Sequence, residues 1–599
     1  MNNLPETKYL RIFALRKRNA FIMRTKGLLL SLIFLFTIIC SFAQQEPPQY
    51  GKTAEDVLRW HELQERMRDG NTPVAPVTSI PEFVRCQGVL VAYAGYTGFG
   101  IPYNLIAQMS ELVTVTVAVS SSYQQNTVRT QLQNNNVNMD NVNFVIGSVD
   151  SYWTRDFGPW FIIDGNDEIG VADFTYNRPS RPNDDNHMAI MANFLGVNHF
   201  DFPLVHTGGN YMSDGYGAAA STDLVFEENP DLTQAEIRQL CTDYLGIDNY
   251  HFTIDPQGDY IAHIDCWGKF LDVDKVMIAQ LPVGANRYQE YEQVADYFAN
   301  ATSSWGNKYK VYRVFEPGST VSNARTPYTN CLILNDHVFV PITGCSYDDD
   351  AIECYRNAMP GYTIVPIMEK SSTPWENTDA LHCRTHEIPD LGLLYIRHYP
   401  TLGHQPYQPT FTFQADITCF SGQGLISDSV RIAYRIIQDQ DTSLWDYAPM
   451  QPIGGKTWEG TISGITDTCT VQYFLKASDL SGRNETMPLI AAADPYTFTV
   501  APNDNGDDPD DPGDTTAIPS FASQNITIAP NPADEQFTIQ ANHVRDIFVY
   551  NLHGQLIHTQ HVTGDIVTVD CAQWDAGTYF INLIGHDGGM IRKKVVVRR

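Results

Sequence analysis

The sequence predicts an α/β domain followed by two all-β modules, and three observations carry that prediction. From about Phe83 to Pro400 short β-branched runs (Val89–Tyr93, Val113–Val119, Val142–Ile146) alternate with helical stretches (Thr233–Leu245, Tyr288–Ala299). Such alternation is the mark of α/β architecture. Near Tyr407 the texture becomes strand only, with Thr410–Asp416, Val430–Ile437, Thr457–Ile465 and Val471–Ala477 separated or followed by turns such as Gly454-Gly455 and Ser481-Gly482. This reads as a small immunoglobulin-like sandwich. Asn503–Thr515 then runs through Asp, Pro, Gly and Asn with no apolar residue, the composition of a linker, before a last strand-like segment from Ile518 to Arg599.

The ends and connections follow from these elements. Basic residues ending in Arg24 and Lys26 precede the apolar run Leu28–Ile39, and Ser41 and Ala43 supply the small residues of a cleavage site. That is the three-part pattern of a secretory signal, and it assigns residues 1–43 to a leader. A polar lead-in, helical around Ala54–Arg68, fills 44–82. The α/β domain spans 83–402, the sandwich 403–501, the linker 502–517 and the last module 518–599. No later stretch reaches the roughly 20 apolar residues that span a bilayer, so no stable membrane span is expected.

Composition bounds the partners. The 599 residues are 43% hydrophobic and 12% aromatic, as in globular proteins, and exceed what one core holds. Thirty-nine basic against 69 acidic residues give a net charge of −30. This field repels nucleic acid on average and draws in cationic substrates, although a solvated acidic surface accounts for it equally. Eleven cysteines, one of them in the leader, include no CxxC pair, so a zinc site has no support. Cys345 with Cys354, and Cys419 with Cys469, are candidate bridges. The acidic run Asp348-Asp349-Asp350 lacks a calcium-loop pattern and reads as an exposed turn. No metal and no cofactor are expected, and activity is expected to survive a chelator.

Five segments of the α/β region concentrate the chemistry: Asp150–Trp160, His206–Asn210, His263–Lys269, Tyr328–Asn330 and Asp379–His386. Within them Cys383 is the candidate nucleophile, since a reactive thiol needs a neighbouring base and substrate access. His263 is the candidate base, and strand alternation in His-x-Asp places Asp265 on its face. Each alone is commonly a packing residue; what distinguishes them is a second carboxylate, Asp156, and the flat surface of Trp153. Two carboxylates beside a thiol suit a cationic electrophile. A guanidinium pairs bidentately with carboxylates, and holding it between Asp156 and Asp265 exposes its central carbon to sulfur. A papain-like protease fits less well, because those enzymes usually place Cys before His.

The motifs WTRD-GPW at 153–160, HTGGN at 206–210, HIDCW at 263–267 and the late Cys383 resemble, in that order, the bacterial (Porphyromonas-type) peptidylarginine deiminases, relatives of the agmatine deiminases. The resemblance implies a five-bladed, pseudo-symmetric α/β propeller with a central site. It implies Cys383 as nucleophile, His263 as acid and base, Asp156 and Asp265 as guanidinium ligands, and Asn330 as a supporting polar group, Asn323 lying nearby. It also implies calcium-independent turnover of peptide arginine to citrulline and ammonia. In that family two closely spaced arginines receive the carboxylate of a C-terminal arginine. Arg178 and Arg181 look like that pair, although two residues separate them here where the family has one; a solvent-facing basic turn is the other reading. An agmatine deiminase and a surface binding protein on the same scaffold are the alternatives. The last module, with APNP at 529–532, VYNLHGQ at 549–555, AGTY at 576–579 and a basic end, resembles the C-terminal sorting domain of type IX secretion cargo. An ordinary terminal β-sandwich is the other reading. The resemblance implies passage through that machinery to the medium or the bacterial outer surface.

Overall fold

The computed structural model describes residues 52–66, 70–258, 261–317, 326–438, 441–501, 526–540, 544–551, 556–562, 566–585 and 590–598. The leader, the linker and Asn323 lie outside them. Between Thr78 and Pro389 the chain forms five small sheets of one design. In each, a short strand pairs antiparallel with the next strand of the sheet, which pairs parallel with a third. Trp160–Ile163, Ile169–Tyr176 and Asn198–His206 make one. Met212–Ser213, Ala218–Thr222 and Asn249–Thr253 make the second. The third is Gly268–Asp272, Lys275–Gln280 and Lys310–Phe315, and the fourth Leu332–Leu334, His337–Ile342 and Thr363–Met368. The fifth closes the region on itself, as His386–Pro389 pairs with Cys86–Ala92 near its start, which runs parallel to Thr114–Val119.

Parallel partners need a crossover, and a helix supplies each: Tyr103–Leu112, His187–Leu195, Gln234–Leu245, Tyr288–Asn300 and Asp348–Ala358. Gln234–Leu245 begins with a capping box between Thr233 and Glu236 and ends at Gly246 in the left-handed conformation. The inner strands, such as Val89–Ala92 and Val276–Ala279, are buried and apolar on both faces, as strands with both faces covered must be.

A β-rich region follows. Leu394–Arg397 pairs with Thr410–Cys419, so the sheet begins before residue 403. The strands of this region enclose a core that includes Phe413, Ile432, Tyr473 and Phe498. The last module is also β-rich, with a three-stranded and a four-stranded sheet around Phe537, Ile547, Ile581 and Val595.

Several expectations are corrected. The single helix around Ala54–Arg68 is two short ones, Ala54–Leu58 and His61–Glu65. This lead-in is also no mere spacer, because Asp56 is buried and accepts the backbone N–H of Ser180 at 2.9 Å. All ten cysteines after the leader are free thiols, including Cys345, Cys354, Cys419 and Cys469. Asp348 does not sit in an exposed turn. It starts a helix, buried, and accepts from the Tyr328 hydroxyl and the Gly344 N–H at 2.7 Å each, an acid in a first turn being favoured by the helix dipole.

Candidate active site

The five chemical segments are structurally equivalent. Each is the turn immediately before the first strand of a sheet: Thr154–Phe157 before Trp160–Ile163, Gly208–Asn210 before Met212–Ser213, Ile264–Cys266 before Gly268–Asp272, the turn at Asn330 before Leu332–Leu334, and the turn at Cys383 before His386–Pro389. Asp156, Gly209, Asp265, Asn330 and Cys383 therefore each come from a turn that leads into one of the five sheets. His263 and Asp265 do not lie on a strand, as alternation would have them. His263 caps a 3-10 turn that holds Asp265, and the tighter winding brings both side chains inward.

Asn330 organises the turn that carries Cys383. Its Oδ1 accepts the backbone N–H groups of Ala380 (3.0 Å) and Cys383 (3.2 Å), and its Nδ2 donates to Cys383 Sγ (3.1 Å) and to the Asp265 carbonyl (3.2 Å). The Cys383 thiol donates to Asp265 Oδ2 at 3.4 Å. Asp156 Oδ1 faces His263 Nδ1 at 3.5 Å. Gly209 is where this pair demands glycine, since a Cβ there would lie 2.5 Å from His263 Nδ1 and 2.7 Å from Asp156 Oδ1. Trp153 is buried, and its indole N–H donates to Asp379 Oδ2 at 2.9 Å. Asp379 in turn is clamped by Arg384.

Sequence reasoning missed His382. Its Nδ1 lies 2.7 Å from Asp265 Oδ2 and its Nε2 3.0 Å from Glu82 Oε2, and Lys269 pairs with the same Glu82. Only the doubly protonated ring donates to both carboxylates. The signal was its place beside Cys383. Glu82, some 300 residues away in the lead-in, carried none.

The electrostatics separate the two aspartates. Burial pushes Asp265 up, but the hydrogen bond and charge of His382 outweigh it and hold the carboxyl below its usual range. Burial and the neighbouring Asp265 push Asp156 up to about 8, against the pull of Arg178 and Arg181. Burial, then Cys266, Asp265 and Asp379, raise the Cys383 thiol well above its ordinary value. Asp156 Oδ1 and Asp265 Oδ1 are buried and, among the described residues, accept no hydrogen bond. Two acceptors aimed into one buried site are a receptor for a cationic donor.

Arg178 and Arg181 are no solvent-facing turn, being 1% and 5% exposed. Arg178 Nη1 donates to Asn177 Oδ1 at 2.6 Å, and the Arg181 guanidinium lies 4.7 Å from the centre of the Trp153 ring.

The comparisons with known proteins find, over the region from 101 to 389, a likeness to the guanidine-modifying deiminases of the peptidyl-arginine and agmatine types. Residues 101–389 match the family model for Porphyromonas-type peptidyl-arginine deiminase, and residues 527–598 match that for the secretion system C-terminal sorting domain. The sorting domain marks the chain for secretion and attachment to the cell surface. A protein named for agmatine deiminase in Yersinia pestis is 26% identical over 288 residues, covering 42% of this chain and 77% of that protein. One of the same name in Legionella pneumophila is 25% identical over 267 residues, covering 42% and 75%. A solved structure of the agmatine deiminase of Enterococcus faecalis aligns with 57% of this chain and 99% of its own at 20% identity, with a TM-score of 0.42.

Proposed function

We propose that the chain is a secreted peptidyl-arginine deiminase that converts the guanidinium of peptide arginine, C-terminal arginine foremost, to citrulline and ammonia. The observation that carries this is the buried thiol of Cys383 beside Asp265, with Asp156 Oδ1 facing His263 Nδ1 at 3.5 Å in the same site and, among the described residues, neither that oxygen nor Asp265 Oδ1 accepting a hydrogen bond. Five like sheets whose leading turns supply the site residues support a five-bladed, pseudo-symmetric propeller over 83–402, followed by an immunoglobulin-like module to 501 and the sorting domain from 518.

In this reading Asp156 and Asp265 hold the guanidinium and keep it protonated, which makes its carbon electrophilic. The resting thiol is protonated because burial and its acidic neighbours disfavour the thiolate; the arriving cation reverses that balance. The Cys383 thiol gives its proton to His263, and the thiolate adds to the central carbon. His263 protonates the departing nitrogen, and ammonia leaves an S-alkylthiouronium. His263 then takes a proton from water, whose oxygen adds to the same carbon, and the Cys383 thiolate departs to leave citrulline.

Arg178 and Arg181, buried beside the site, suit a substrate carboxylate. Agmatine has none, which favours the peptide over the amine. The test is citrulline and ammonia release from a peptide ending in arginine, its C-terminal amide, and agmatine. The free-carboxylate peptide is expected to be turned over fastest. Preference for agmatine would overturn the substrate while keeping the chemistry; no turnover of any would overturn the enzyme. Arg178→Ala is expected to lower kcat/KM for the free-carboxylate peptide by about 30-fold or more and to spare the amide, the scale of truncating one partner of a buried charge pair. Equal loss on both would remove the carboxylate role.

His382 sets the acid limit of this activity. Without its hydrogen bond and charge, only His263 and the Cys383 thiol still oppose burial, and the Asp265 carboxyl protonates at higher pH. The acid limb of the kcat/KM profile of His382→Gln is expected to move to higher pH. An unmoved limb at lower kcat would make His382 a packing residue only.

A further inference from the structure

Sequence spacing offers no zinc site, but the fold builds the beginnings of one. Cys266 and Cys383, far apart in the chain, are brought together with Asp265: one carboxylate oxygen and two sulfurs, all within 4.8 Å of one another and all buried. The backbone holds them there from both sides of a single turn. Thr329 Oγ1 donates to the Cys266 carbonyl at 3.1 Å, while the adjacent Asn330 Oδ1 accepts the Cys383 N–H at 3.2 Å.

The spacings suit a tetrahedral ion. With Zn–S near 2.3 Å and Zn–O near 2.0–2.2 Å, two sulfur ligands stand about 3.8 Å apart and a sulfur and an oxygen about 3.6 Å. Asp265 Oδ2 and Cys383 Sγ are already 3.4 Å apart. His382 fixes the Asp265 carboxylate from outside at 2.7 Å, the kind of support that orients a metal-binding carboxylate. Asp265 Oδ1 is buried with no hydrogen-bond partner among the described residues. Two thiols select a soft cation; Ca²⁺ and Mg²⁺, which take six or more oxygens, find one carboxylate.

We propose that Asp265, Cys266 and Cys383 form an inhibitory binding site for a soft divalent cation of the Zn²⁺ type. Binding exchanges two thiol protons for the metal and oxidises nothing. Because each bound ion releases protons, affinity rises with pH. The ion occupies the sulfur that attacks the guanidinium and one of the carboxylates that hold it, so it competes with substrate. The inhibition rests on the reading of Cys383 as nucleophile; the binding does not.

The experiment titrates the full chain, stripped of metal by a chelator, with ZnCl₂, CoCl₂ and CaCl₂. Co²⁺ is expected to bind once per chain with a thiolate-to-metal charge-transfer band of two-sulfur intensity. Cys266→Ser should bind Co²⁺ with about half that intensity and, relative to its own metal-free rate, need at least tenfold more Zn²⁺ for half-inhibition. Cys383→Ala should also show the one-sulfur band, a readout that needs no activity. Ca²⁺ should neither inhibit nor compete. An unchanged Zn²⁺ sensitivity and spectrum in Cys266→Ser, or a one-sulfur band in the wild type, would overturn the site. A two-sulfur band in a wild type that forms no citrulline would keep the metal site and refute the deiminase reading.

Discussion

Cys383→Ala is expected to abolish citrulline formation, a loss on the order of 10⁴- to 10⁶-fold, as removal of a covalent nucleophile does elsewhere. The side chain is buried, and its removal leaves a small void and loses the bonds of sulfur to Asn330 Nδ2 and Asp265 Oδ2, but the backbone bonds of the turn remain. Asn330 still holds the backbone N–H of residue 383 and of Ala380, and the Arg155 N–H still reaches the carbonyl of residue 383 at 3.2 Å. The fold should therefore persist, with destabilisation of about 1 kcal/mol. The variant should also still bind a C-terminal arginine peptide, because both aspartates and the arginine pair remain. Calorimetric binding with no turnover is the expected result. Retained turnover would place the nucleophile elsewhere, and Cys266, also buried in the site, would be the next thiol to test.

Much of this site is legible in the sequence because the chemistry is concentrated in short turns. The segments around Asp156, His206, His263, Asn330 and Cys383 concentrate polar residues where the flanking strands are apolar, and each proves to be a turn entering a sheet. What could not be read is their equivalence. Asp156, Gly209, Asp265, Asn330 and Cys383 are 53, 56, 65 and 53 residues apart. That is a near-period, but the five turns share no common residue pattern. The repeated feature is backbone geometry, a strand pair with one helical crossover, which different apolar residues satisfy equally well.

Long-range charge pairing was hidden for a related reason. His382 lies next to Cys383, yet what makes it matter is Glu82 and Lys269, brought by the lead-in and by another sheet. The buried state of Arg178 and Arg181 likewise depends on distant groups. Asp56 tethers Ser180 between them, and Trp153 covers Arg181. Neither contact has a local signature, so a solvent-facing turn stayed open as the other reading. The helical register of Gln234–Leu245 shows the contrast: its capping box and terminal glycine are local, and its ends were legible almost to the residue.

The second large effect concerns the carboxylate that is held in the wrong protonation state for a resting protein. Asp156 keeps its proton up to about pH 8 in the folded chain, because burial and Asp265 disfavour its charge, whereas an unfolded chain releases it near 3.9. Between those values the unfolded state binds fewer protons than the folded state, so this group makes stability fall as pH rises from about 4 to 8. Asp156→Asn removes the liability. At pH 7 the variant is expected to be more stable by about 2 kcal/mol or more, since each tenfold difference in proton affinity between the folded and unfolded chains is worth about 1.4 kcal/mol, and the gain should vanish towards pH 4. Its kcat/KM should nevertheless fall by at least about 10³-fold, since an amide cannot hold the guanidinium's charge. Denaturation midpoints of the two proteins at pH 4.5 and 7.5, beside citrulline assays, check both halves. A variant equally stable at both pH values relative to wild type would mean that Asp156 is ionised in the resting site, and the cation receptor would then be charged before substrate arrives. If instead stability rises as activity disappears, the site is one the fold maintains at its own expense, which is what a receptor for an incoming positive charge requires.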